Sequence, residues 1–115
     1  MPDPGAVAFK EKIAELTKGR VEVVIYPGQQ LGQMREQVEA VQAGTVEMVI
    51  QPMAVLSTFV PEFMVMDFPF LWPNEEIMWK VLDGPVGKEL MDAAKSKGMV
   101  CLGFMGSGFK QFTAN

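Results

Sequence analysis

Lys110 is the side chain in this sequence whose type and setting most invite chemistry. It follows Gly106 and Gly108, just past an apolar run at 99–104 (MVCLGF). A cation beside backbone left open by glycine can pair with a carboxylate. A solvated lysine would explain the same residue equally well. Reaction chemistry has much less to build on. The candidate nucleophiles are Cys101, Ser57, Ser107 and Thr113, and none has a lysine base at a recognisable spacing. The chain has no histidine, which removes the commonest general base, the usual triads and most transition-metal sites. The GSG at 106–108 is neither a phosphate loop nor a dinucleotide fingerprint. These residues favour binding over catalysis, and no cofactor is implied.

The elements that must position such a site centre on residues 20–52. Residues 20–26 (RVEVVIY) are β-branched and aromatic with partial alternation, which predicts a strand. Pro27-Gly28 stops it. Leu31, Met34, Val38 and Val41 then fall on one helical face, with Glu36, Gln37 and Glu39 off it, and Gly44 closes the helix. Residues 46–51 (VEMVIQ) read as a second strand ended by Pro52. A strand–helix–strand unit this compact favours parallel strands with a right-handed crossover. Ligands of such sheets sit beyond the carboxyl ends of the strands, here residues 26–32 and 51–54.

Around this unit, Ala6, Phe9, Ile13 and Leu16 predict a helix covering one face of a sheet, ending near Gly19. Residues 52–72 hold three prolines among many apolar side chains, so a short turn at 54–59 and then an irregular apolar loop are expected. Phe70–Trp72 in that loop either pack on the core or line a pocket. Asn74 caps a helix to about Leu82, and Pro85 opens another that runs to Lys97 before Gly98. Residues 99–104 predict a strand buried on both faces, with Cys101 in the core. Residues 109–112 predict a further short strand.

Composition narrows the function classes. A hydrophobic share of 49 % against 21 % charged suits a packed core, and 115 residues leave room for one domain. Ten basic against fourteen acidic side chains, with no basic run, argue against nucleic acid. No apolar run reaches the roughly 20 residues of a membrane span. The opening Met1-Pro2-Asp3-Pro4 is acidic and proline-rich, so no signal peptide is expected there. A lone cysteine excludes an intrachain disulfide.

Five segments carry a family resemblance: YPGQQLG at 26–32, VQAGTVEMVI at 41–50, FVPEFMVMDFPFLW at 59–72, VLDGPVGKEL at 81–90 and GFKQFTAN at 108–115. In this order and register the chain resembles the solute-binding receptors of TRAP transporters, the DctP family of periplasmic proteins. The resemblance implies an α/β fold: a class II periplasmic-binding-protein-like lobe, with a mostly parallel sheet and helices on both faces. Residues 1–115 would be a partial N-terminal lobe of a two-lobe clamshell, lacking the first strand and the second domain. Such receptors are periplasmic, bind an organic acid in the cleft and hand it to a sodium-driven membrane permease.

Residue by residue, Lys110 matches a position that is usually a ligand-contacting arginine in the family. Lysine keeps the charge and loses the planar fork. Gln33 and Met34, and then Gln51, Pro52 and Met53, match cleft-lining positions. Trp72 or Phe70 matches an aromatic ring bordering the ligand. Gln51 and Met53 would suit a less polar organic acid. The missing first strand would belong between the two strands of residues 20–52, leaving backbone groups that cost about 1–3 kcal/mol each if buried and unpaired. The expectation is therefore that another copy, by strand exchange, or residues 108–115 cover that gap. The rival from another class is a self-associating module with no solute binding.

Overall fold

The computed structural model describes residues 1–106 and Gly108; Lys110 and the strand expected at 109–112 lie outside the described residues. Among the described residues there are five α-helices: α1 (Pro4–Leu16), α2 (Met34–Ala43), α3 (Met53–Leu56), α4 (Glu75–Leu82) and α5 (Pro85–Ala93). Tighter 3₁₀ turns occupy Pro61–Asp67 and Ala94–Lys97.

The helix ends follow from local chemistry. The Asp3 carboxylate accepts from the backbone N–H groups of Gly5 and Ala6 at 2.8 and 3.2 Å, and Pro4 opens α1 where no N–H is needed. Asn74 Oδ1 accepts from the Ile77 N–H at 2.9 Å, with Glu75 and Glu76 facing the positive end of the α4 dipole. Gly44 ends α2 at φ 76°, a conformation open to glycine and strained for most other residues. The helix expected from Pro85 to Lys97 is present, with its last turn tightened into Ala94–Lys97.

The core lies between the first 3₁₀ segment and the α4–α5 pair. Val60, Phe63, Leu82, Leu90 and Ala94 are buried together, and Met53, Leu56, Phe59, Met78 and Trp79 pack against them. Gly87 lets α5 press onto the end of α4: a Cβ there would overlap the Leu82 carbonyl group.

Three expectations need correcting. The apolar stretch before Trp72 is no irregular loop, because Pro61–Asp67 is helical and supplies Phe63 to the core. Proline at the first position of a helix removes no bond, so its presence does not forbid one. Helix α1 does not cover a sheet. None of its residues is buried, and Leu16 is 66 % exposed.

The largest correction concerns the sheet itself. The mostly parallel sheet is not formed: no strand is assigned among the described residues. Residues 22–27 still alternate as a strand would, with Val23 and Ile25 half-buried between exposed Val24 and Tyr26. Residues 99–102 do the same, but Val100 and Leu102 are 69 % and 68 % exposed, so this run is covered on one face rather than two. A strand exists only where a second backbone meets its N–H and C=O groups in register. Among the described residues no segment does so, and the expected gap for a missing first strand has no ladder in which to be seen.

Candidate functional site

The turn at residues 28–33 and the start of α2 are built by a folded-back glutamate. The Gly32 N–H donates to the Gln29 carbonyl at 3.1 Å. Gly32 has φ 103°, and a Cβ there would sit 2.7 Å from a Glu36 carboxylate oxygen. That space is used: Glu36 Oε2 accepts from the Gln33 backbone N–H at 2.7 Å, satisfying one of the donors a helix start leaves open. Glycine at 32 thus allows Gln33 and Met34 to begin the helix at the tip.

Gln37 joins this tip to the next one. Its Nε2 donates to the Gly32 carbonyl at 2.8 Å, and its Oε1 accepts from Gln51 Nε2 at 2.8 Å. Gln51 is half-buried, Pro52 is exposed, and Met53 packs against the core. The structure therefore brings Gln33 and Met34 to the same edge as Gln51, Pro52 and Met53, although Gln37 and Gln51 are 14 positions apart in the chain. Arg35 lies on this edge as well. Its Nε donates to Glu39 Oε1 at 3.0 Å, and its guanidinium lies 5.6 Å from the centre of the Phe59 ring.

The aromatic loop stands at the far end of the segment that packs on α3. Trp72 is half-buried, while Phe70 is 91 % exposed and has φ 60°. A left-handed conformation costs a bulky residue about 1–2 kcal/mol, and such strain tends to persist at ligand clamps and switches. Lys110, the expected cation, lies outside the described residues.

Besides Arg35, two residues of the edge are not picked out as site residues by sequence. Glu36 carries a signal, the three-residue spacing from Gln33 that marks a capping pair. Gln37 carries none, because only the tertiary structure shows what it touches. Two hollows among the described residues lie elsewhere. One of about 400 Å³ is lined by Trp79, Lys88 and Phe104, and one of about 450 Å³ by Val7, Val24 and Pro27. The edge is thus one open wall of carboxamides and apolar side chains, with the Arg35–Glu39 ion pair beside them. It can hydrogen-bond a polar solute and shield it from water on one side.

Among the described residues no cluster of histidine, cysteine, aspartate or glutamate could hold a metal ion. Burial pushes the Cys101 thiol above its usual range, and the thiol donates to the Gly103 carbonyl at 3.7 Å. The thiol is protonated at neutral pH and a poor nucleophile.

Residues 4–115 match the family model for bacterial extracellular solute-binding protein, family 7, known as DctP. The chain belongs to this family. It is 37 % identical over 112 residues to the C4-dicarboxylate-binding periplasmic protein DctP of Rhodobacter capsulatus, covering 96 % of this chain and 34 % of that one. A TRAP periplasmic solute-binding protein from Polaromonas sp. JS666, solved bound to D-erythronate, superposes with a TM-score of 0.81 at 35 % identity. That match covers 86 % of this chain and 33 % of the other. A second, from Xanthobacter autotrophicus Py2 with bound β-D-galacturonate, gives a TM-score of 0.81 at 31 % identity over 87 % of this chain and 34 % of that one.

This DctP-family chain therefore spans about a third of the length of the relatives it matches. Its helices and intervening runs follow the fold of TRAP periplasmic binding proteins even where no ladder bonds join them. The family and the relative from Rhodobacter capsulatus are described as solute-binding proteins.

Proposed function

We propose that this chain is a partial N-terminal lobe, residues 1–115, of a periplasmic TRAP-type receptor that binds a small organic acid and delivers it to a membrane permease. It contributes one wall of the binding cleft. Gln33, Met34, Gln51, Pro52 and Met53 form the edge, Phe70 or Trp72 supplies an aromatic border, and Lys110 supplies the cation for a carboxylate. The observation that carries the reading is the meeting of two chain tips through Gln37, in a chain matched from residue 4 to 115 by this family. The carboxamide of Gln51 and the thioether of Met53 favour an acid with fewer hydroxyl groups than a full sugar acid.

Isothermal titration of the receptor that carries this chain tests the reading, with succinate, D-erythronate and β-D-galacturonate as solutes. At least one acid is expected to bind. Loss of the Lys110 charge in Lys110→Gln should weaken it about tenfold or more, since a charge-assisted bond contributes about 1.5–3 kcal/mol. Binding of the sugar acid alone would refute the less polar solute, and no binding at all would refute the receptor.

A second element of the reading is association between copies by strand exchange. Residues 22–27 and 99–102 keep strand-like alternation but have no ladder partner among the described residues. Backbone edges of this kind pair readily with another chain. Light scattering on the 115-residue chain at micromolar concentration should give twice the 12.7 kDa mass of one copy. A single monomeric species would end this proposal.

A further inference from the structure

The hydrogen bonds of Gln37 have a direction that can be worked out from one end. The Gly32 carbonyl can only accept, so Gln37 must turn its Nε2 towards it, as observed at 2.8 Å. This leaves Gln37 Oε1 facing Gln51, so Gln51 must present its own Nε2, again as observed at 2.8 Å. One backbone carbonyl therefore sets which way round both carboxamides lie. Among the described residues, the carbonyl oxygen and the second N–H of Gln51 have no partner and remain available to a solute. Both links are part-buried, which protects them from competing water.

We propose that Gln37 is a positioning residue for solute recognition: it holds the Gln51 carboxamide in one orientation before the solute arrives. The inference rests on the receptor reading above. A glutamine side chain loses rotamer freedom worth about 1.5–2 kcal/mol when it is ordered. A Gln51 already held by Gln37 has lost part of that freedom before binding, so less is lost when a solute arrives. Gln37 touches no solute in this account and acts only through Gln51.

The test is a double-mutant cycle in the receptor that carries this chain, using Gln37→Leu, Gln51→Ala and the pair. Each protein is titrated with succinate, D-erythronate and β-D-galacturonate. For whichever acid binds the wild type, Gln37→Leu should weaken binding by about 5–10-fold, as loss of one hydrogen bond predicts. In the Gln51→Ala background the same change should have an effect below about twofold, because the group it positions is gone. A purely structural role for Gln37 would give additive losses. The side-chain amide resonance of Gln51, followed by NMR without solute, should exchange slowly in the wild type and fast in Gln37→Leu. Additive losses, unchanged binding in Gln37→Leu, or a Gln51 amide indifferent to it would overturn the inference and leave the receptor reading intact. If the wild type binds none of the acids, the receptor reading falls, and the inference falls with it.

Discussion

Gly87→Ala is expected to lower the melting temperature of this chain by more than about 10 °C. Two effects oppose each other. Alanine is a better helix former than glycine by about 1 kcal/mol, and Gly87 lies inside α5. Against that, the new methyl would overlap the Leu82 carbonyl, which is backbone at the end of α4 and cannot rotate away. Overpacking a core usually costs about 1–3 kcal/mol even where side chains can yield. Here α5 must move, and with it Leu90 and Ala94 leave Phe63. With the cost at or above the top of that range, packing should win over propensity by about 2 kcal/mol or more, a large part of the roughly 5–15 kcal/mol that holds a small domain folded. Gly103→Ala is the control, since no heavy atom lies within 4 Å of the place its methyl would take and its φ is not positive. It should shift stability by about 0.5 kcal/mol at most. A Gly87→Ala protein that melts with the wild type would show that α4 and α5 do not meet as described.

Phe63→Ala should destabilise the chain by about 3–5 kcal/mol, read as a fall of roughly 1 M or more in the urea midpoint. Phe63 is 2 % exposed and stands at the centre of the buried group. Removing its ring deletes apolar burial and leaves a space that rigid helices cannot close. The loss should reach the candidate site. Met53 and Leu56 of α3 pack on this same group, and Gln51 and Pro52 lead directly into α3. Met64→Ala, at a position 60 % exposed on the same 3₁₀ segment, should change stability by about 0.5 kcal/mol or less. Equal effects at 63 and 64 would mean that the segment does not face the core as described.

Much of the helical framework is legible in spacing and caps. Asn74 before Glu75 and Glu76, Pro85 before an apolar stripe, and Gly44 after Val41 each act through a few adjacent residues, and each lies where the helices begin or end. The 3₁₀ segment Pro61–Asp67 escapes such a reading because almost every residue in it is apolar. A stretch of that kind shows no period that separates an inner face from an outer one. The strands fail differently. Alternation at residues 22–27 and 99–102 is a true two-faced pattern, but a ladder belongs to two backbones at once. The apolar character of Val100 and Leu102 predicts cover on both faces, yet apolar residues are often left exposed for want of polar surface to replace them.

The candidate site divides along the same line. The strand–helix–strand pattern points to residues 26–32 and 51–54, and the family segments alone single out Gln33, Met34, Gln51, Pro52 and Met53, whereas helical spacing places Gln37 off the apolar face and gives it no role. Residue types, caps and periodicity settle most of the helical stretches and where they stop, and that histidine is absent from the chain. The three-dimensional arrangement alone settles that Gly32, Gln37 and Gln51 form one hydrogen-bonded line, and that α5 rests on Leu82 where Gly87 has no side chain. The reason is range: caps and periods act between residues a few positions apart, whereas these contacts depend on how distant segments pack, which neither segment specifies alone.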